Sequence, residues 1–134
     1  MSEINGKNQE EKDEKSTCKV VLIGRSGVGK TSIISKFIYN KFSIDLPSTI
    51  GCTYSTKDFY CKKYNKNITY NIWDTAGQEK YKSLTKHFIL GAKIIIYVYD
   101  ITKRNSFEEL VNYWINETKP YAPNDSGKLI FFIY

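Results

Sequence analysis

The chain has 134 residues, 41% of them hydrophobic and 15% aromatic, enough for one buried core and too short for two domains of ordinary size. Its formal charge is +6, and because residues 1–17 hold five acids and three lysines the remainder carries +8. That balance suits a polyphosphate ligand or an acidic membrane or protein partner, and with no Arg-rich cluster or nucleic-acid motif it argues against nucleic acid. Residues 1–17, centred on Glu10-Glu11-Lys12-Asp13-Glu14-Lys15, are too polar to repay ordering and are expected to be a disordered tail ahead of a single domain over 18–134. Lys19 to Ile23 reads as the first strand, and its apolar run predicts burial on both faces, as in a parallel sheet.

Gly24-Arg25-Ser26-Gly27-Val28-Gly29-Lys30-Thr31 follows that strand and fits G-x-x-x-x-G-K-[ST], a phosphate-binding loop. The glycines let successive N–H groups point inward at phosphate oxygens, and the helix beginning near Lys30 aims its positive end at the same place. Lys30 supplies a point charge for the outer phosphates and Thr31 a hydroxyl for Mg²⁺. The helix is expected over Lys30–Lys41, with Ile33, Ile34, Phe37 and Ile38 on one stripe.

Phe42 to Cys52 is irregular and polar, with Pro47 inside it and Ser48-Thr49-Ile50-Gly51 at its end. Residues 53–61 and 67–73 read as two strands joined at Tyr64-Asn65-Lys66-Asn67, a hairpin, with Ile68, Tyr70 and Ile72 on one face of the second. Trp73-Asp74-Thr75-Ala76-Gly77-Gln78-Glu79 follows, then a short helix ending at Gly91. Ile94 to Tyr99 is another doubly buried strand. Ser106-Phe107-Glu108-Glu109 reads as a capping box opening a helix whose stripe is Phe107, Leu110, Val111, Trp114 and Ile115, ended by Pro120 and Pro123. Leu129 to Tyr134 is a last strand. The alternation predicts an α/β fold, a mixed and mostly parallel sheet with helices on both faces.

Asp74-Thr75-Ala76-Gly77-Gln78 narrows the chemistry beyond phosphate binding. An aspartate at a strand end can hold a Mg²⁺ shell, a neighbouring glycine can bring its N–H to a terminal phosphate, and a glutamine can orient an in-line water. The three cysteines, Cys18, Cys52 and Cys61, are odd in number and lack metal-ligand spacing, so they read as packing or surface residues of a reduced cytoplasmic protein. No apolar run is long enough to span a membrane, the first residues lack a signal-peptide core, and Ser2 departs from the myristoylation pattern. His87, the single histidine, reads as a surface or packing residue.

On Gly27-Val28-Gly29-Lys30-Thr31-Ser32, Ser48-Thr49-Ile50-Gly51 and Trp73-Asp74-Thr75-Ala76-Gly77-Gln78-Glu79, the sequence resembles the Ras superfamily of small GTPases over about residues 18–134. Tyr81-Lys82-Ser83-Leu84 and Tyr97-Val98-Tyr99-Asp100-Ile101-Thr102 point within it to the Rab branch. The resemblance implies the P-loop NTPase fold and GTP hydrolysis to GDP and phosphate, as a switch in vesicle-mediated protein transport. It implies that Ser26, Gly27, Val28, Gly29, Lys30, Thr31 and Ser32 bind phosphate, that Phe42 stacks on guanine, and that Gly77 bonds the γ-phosphate. Thr31, Thr49 and Asp74 would hold Mg²⁺, Thr49 only with GTP and Asp74 through water, while Gln78, aided by Lys30 and Thr49, serves catalysis. Effectors, exchange factors and activators would read 42–54 and 73–90, with Tyr54, Trp73 and Phe88 as an aromatic trio. Arg25 is expected to face solvent, so an activator would supply the catalytic arginine in trans.

The family continues past the strand at 129–134 with Asn-Lys-x-Asp, then Ser-Ala-Lys, further helices, a sixth strand and prenylated cysteines. The resemblance therefore reads the chain as a C-terminally truncated G domain lacking the last strand and helices, without a prenylation cysteine, cytoplasmic where the family sits on endomembranes. The competing expectation is a non-catalytic nucleotide-binding or partner-binding module. A P-loop ATPase or kinase would need a lid or acceptor site that the sequence does not offer.

Overall fold

The computed structural model describes residues 16–43, 45–77, 82–122 and 127–133. In chain order the elements are β1 (Ser16–Ile23), α1 (Lys30–Tyr39), β2 (Cys52–Cys61), β3 (Lys66–Thr75), α2 (Lys82–Ile89), β4 (Ile94–Asp100), α3 (Arg104–Glu109), a π-helical turn (Leu110–Trp114), α4 (Ile115–Thr118) and β5 (Gly127–Ile133). The strands form one sheet ordered β2-β3-β1-β4-β5. β1 runs parallel to β3 and β4, β5 runs parallel to β4, and only β2 is antiparallel, to β3. The expected mixed, mostly parallel α/β sheet is what the chain forms.

β1 alternates between two cores. Val21 and Ile23 join Ile89, Ile95, Leu110 and Trp114 on one face, while Val20 and Leu22 join Val28, Ile34, Ile72 and Val98 on the other. Helices thus cover both faces: α2 and the 104–118 helix one, α1 the other. β1 starts at Ser16, three residues before its apolar run, because Ser16 and Thr17 pair with Ile68 and Thr69. The tail expected over 1–17 therefore gives its last two residues to β1, and residues 1–15 lie outside the described residues. α1 stops at Tyr39 rather than Lys41, since Asn40 turns left-handed (φ 55°) and caps the Lys36 carbonyl. The hairpin turns at 62–65, with Asn65 at φ 48°.

The 104–118 helix departs most from expectation. It begins at Arg104, and Ser106 lies inside its first turn with no capping hydrogen bond. The Ser106 hydroxyl instead bonds the backbone of Asp100 and Lys103, tying the helix to the end of β4. The buried set is Ser106, Leu110, Trp114 and Thr118, while Phe107 and Val111 are exposed. A spacing of four drifts around a 3.6-residue helix; one wider π turn compensates and keeps all four on the sheet side. The turn frees carbonyls, and the Asn116 amide donates to those of Val111 and Asn112, both at 3.3 Å. Asn116→Ala is expected to cost about 1 kcal/mol in denaturant titration by leaving them to water. The helix ends at Thr118, ahead of Pro120; Pro123 lies outside the described residues.

Candidate functional site

The site sits where parallel strands end. β1 delivers the chain into the turn at Gly24, and α1 restarts at Lys30, so residues 24–29 wrap the N-terminal end of α1. Beside it β3 ends at Thr75, which places Asp74 level with Leu22. Thr75 donates its hydroxyl to the Leu22 carbonyl at 2.6 Å, pinning the two strand ends together. The Ala76 N–H donates to the Gly51 carbonyl at 2.8 Å, which holds the end of the irregular segment, and so Thr49, over the same point.

Gly77 closes the ring. Its carbonyl accepts the Ser26 N–H at 3.2 Å, and a Cβ there would lie 2.3 Å from the Ser26 nitrogen. The close approach explains why this position takes glycine. Gln78, the next residue, lies outside the described residues.

Three oxygens converge between these elements. The Thr31 hydroxyl donates to Asp74 Oδ2 at 2.6 Å, the Thr49 hydroxyl donates to the same oxygen at 3.2 Å, and the two hydroxyls stand 3.0 Å apart. Adjacent ligands on an octahedron with Mg²⁺–O bonds of about 2.1 Å lie about 3 Å apart. An all-oxygen, hard donor set at that spacing fits Mg²⁺. Asp74 is 3% exposed, and its other oxygen, Oδ1, is buried with no hydrogen-bond partner among the described residues. Burial pushes its carboxyl up, against the opposing pull of the Thr31 hydrogen bond, the Lys30 charge and Thr49. A buried carboxylate with an idle oxygen is a group that a cation would relieve.

Lys30 is buried and donates to the Gly24 and Arg25 carbonyls at 2.8 and 2.9 Å. Burial pulls its ammonium down to about 8, although Asp74 and Glu109 act to raise it. The free loop thus holds a strained positive charge at the floor of a cleft lined by Ser26, Gly27, Gly29, Thr31, Thr49 and Gly77, with Ser32 beside them.

The expected residues do not all meet. Ser26, Gly27, Gly29, Lys30, Thr31, Ser32, Thr49 and Gly77 share the cleft, Asp74 lies beneath it, and Val28 points its side chain into the core. Phe42 is 67% exposed and does not line the cleft. Arg25, expected to face solvent, has a side chain 44% exposed, with its guanidinium 3.7 Å from Glu109 of α3, since the loop passes that helix. Sequence reasoning missed Leu46, Pro47, Ser48 and Thr75, which also line the cleft. Thr75 could have been found from its place beside Asp74, the others only from their nearness to Thr49.

Tyr54, Trp73 and Phe88 do meet, with ring centroids 5.1 Å apart for Tyr54 and Trp73 and 5.7 Å for Trp73 and Phe88. His87 is exposed, as expected of a surface residue. The three cysteines are unpaired, and burial raises Cys18 and takes Cys52 to about 11, so neither is an activated thiolate. No described helix is long and apolar enough to cross a membrane.

Comparison with known proteins shows the family. The Ras family model matches residues 19–131. Ras-related protein RGP2 of Oryza sativa subsp. japonica is 46% identical over 115 residues, 86% of this chain and 51% of that protein. Ras-related protein Rab-11B of Dictyostelium discoideum is 44% identical over 113 residues, 84% of this chain and 50% of that protein. GTP-binding protein ypt3 of Schizosaccharomyces pombe is 43% identical over 115 residues, 86% of this chain and 51% of that protein. The chain spans about half the length of these curated relatives. With a phosphate loop joined through Thr75 and Gly77 to an aspartate-bearing strand end, and the family model covering most of its length, the chain belongs to the Ras family.

Proposed function

We propose that the protein is a Rab-type GTPase that binds GTP and GDP with Mg²⁺ and hydrolyses GTP as a timed switch in vesicle-mediated transport at endomembranes. The observation that carries this reading is the meeting of Thr31, Thr49 and Asp74 within 3.2 Å over the loop that holds Lys30. Thr49 comes from an irregular segment anchored at Gly51, so it can leave when nothing holds it, which is what a switch requires.

In this reading Ser26 to Ser32 cradle the phosphates through backbone N–H groups, and Lys30 turns its Nζ from two loop carbonyls toward the outer phosphates. Thr31, Thr49 and Asp74 would hold Mg²⁺, Asp74 through water, and the ion would supply charge neutralisation for the phosphates. The Gly77 N–H bonds the γ-phosphate, and Gln78 orients the attacking water. Arg25 lies beside Glu109 and does not line the cleft, so an activating protein would supply the arginine. Phe42 stacks on guanine, and effectors and exchange factors read 42–54 and 73–90, with Tyr54, Trp73 and Phe88 as anchors.

The test is Mg²⁺-dependent phosphate release from GTP by the purified chain. GTP is expected to bind in preference to ATP, and Gln78→Leu to slow release by roughly tenfold or more. Equal rates in the two proteins would remove Gln78 from the mechanism. A second reading, a partner-binding module without turnover, is favoured by an apolar groove of about 340 Å³ between α1 and the sheet, lined by Val20, Leu22, Ile34, Phe37, Ile72 and Ile96. Calorimetry separates them, since micromolar or tighter GTP binding counts against it.

A further inference from the structure

We infer that the β2–β3 hairpin is a docking surface for a bilayer bearing acidic phospholipids. Residues 58–60 and 62–67 are all exposed, so the far end of the hairpin is open to solvent. Its tip carries Lys62, Lys63 and Lys66 among three half-exposed aromatics, Phe59 (50%), Tyr60 (50%) and Tyr64 (63%). Between Lys30 and Trp73 the only acidic residues are Asp45 and Asp58, and the Asp58 carboxylate accepts the Thr69 hydroxyl at 2.6 Å.

The end of α1 extends the same surface. Lys57 donates to the Phe37 carbonyl and lies over the Phe37 ring, which fixes the C-terminal turn of α1 beside the hairpin. Exposed Lys36, Lys41 and Tyr39 belong to that turn and the residues just after it. Lysine ammoniums beside tyrosine rings match an anionic lipid interface: the rings sit at headgroup level while the long stems let the charges reach phosphate. Lys63 over the Tyr64 ring already shows that pairing. An exposed tip of lysines and tyrosines suits a flat, deformable anionic surface.

β3 starts at this tip and ends at the phosphate site, about 30 Å away at the usual rise per residue. A bilayer at the hairpin therefore leaves the nucleotide cleft open, and the inference does not depend on GTP turnover.

The experiment is flotation of the 134-residue chain with phosphatidylcholine vesicles, with and without about 30% phosphatidylserine. The chain is expected to float with the anionic vesicles only and to detach as salt rises toward about 0.5 M. The triple variant K62A/K63A/K66A is expected to bind about a hundredfold more weakly, at about fivefold per lysine removed. The corresponding triple arginine variant should bind like the parent, and Y60S/Y64S should bind several-fold more weakly. Equal flotation on neutral vesicles, or unchanged binding by K62A/K63A/K66A, overturns the inference. So does hairpin-dependent binding to an RNA homopolymer or an acidic peptide in a protein that ignores anionic vesicles. GTP binding is expected to be the same in all these variants, so its loss in the parent would count against the GTPase reading and not against this surface.

Discussion

Lys30→Met is expected to weaken Mg²⁺·GTP binding by about a hundredfold or more while leaving the unliganded fold within about 1 kcal/mol of the parent. The two halves of that outcome have one cause. Lys30 is buried, bonds two carbonyls and feels the Asp74 and Glu109 charges, yet burial outweighs them, so its charge is under-compensated before ligand arrives. Methionine removes a desolvated cation, which favours folding, and two hydrogen bonds, which opposes it. On binding the account is one-sided, because phosphate oxygens would have answered that charge. The pH dependence carries the same signature. The folded ammonium releases its proton near 8 and the unfolded one near 10.5, so unfolding takes up a proton between those values. The free parent should therefore gain stability as pH rises from about 8 toward 10.5, and Lys30→Met should lack that gain. Triphosphate affinity of the parent should fall over the same range, because binding must restore the proton. Calorimetry for affinity and urea titration across pH read both, and a variant that loses stability and affinity together would make Lys30 a structural residue.

What the sequence reveals of this molecule follows from how local each cause is. The parallel strands are legible because burial on both faces leaves continuous apolar runs, Val20–Ile23 and Ile94–Tyr99. The phosphate loop is legible because its glycines, Lys30 and Thr31 act within eight residues. Ser106 is misread for the opposite reason: its partner is the backbone of Asp100 on another element, so a serine followed by acids imitates a cap that never forms. Phe107 and Val111 are misread as core because a 3.6-residue stripe is assumed where a π turn shifts burial onto Ser106 and Thr118. The ion pair of Arg25 and Glu109 joins residues far apart in the chain and leaves no mark in either neighbourhood. Phe42 illustrates a different limit: its expected partner is a base, which the chain's own packing does not supply, and the ring stays exposed.

Gly24→Ala is expected to cost at least about 3 kcal/mol in urea titration and to remove nucleotide binding with the fold. Two costs coincide at this residue. Its φ of 153° is one that side chains rarely adopt, and a Cβ there would lie 2.1 Å from the Val98 carbonyl oxygen. That oxygen belongs to the backbone of β4, one of the two parallel neighbours of β1, so no side chain can rotate aside to make room. Either β1 and β4 separate, which opens both cores at once, or the turn into the loop moves and takes Lys30 with it. Gly27→Ala supplies the comparison, since φ is 74° but no atom lies within 4 Å of its would-be Cβ. It should cost only the backbone term, about 1 kcal/mol, and leave the fold intact. If the two variants are equally destabilised, backbone conformation rather than the contact with β4 sets the requirement for glycine at position 24. If Gly24→Ala is the far weaker protein, the loop's shape is imposed by the sheet beneath it, and the phosphate site is rigid before any ligand arrives.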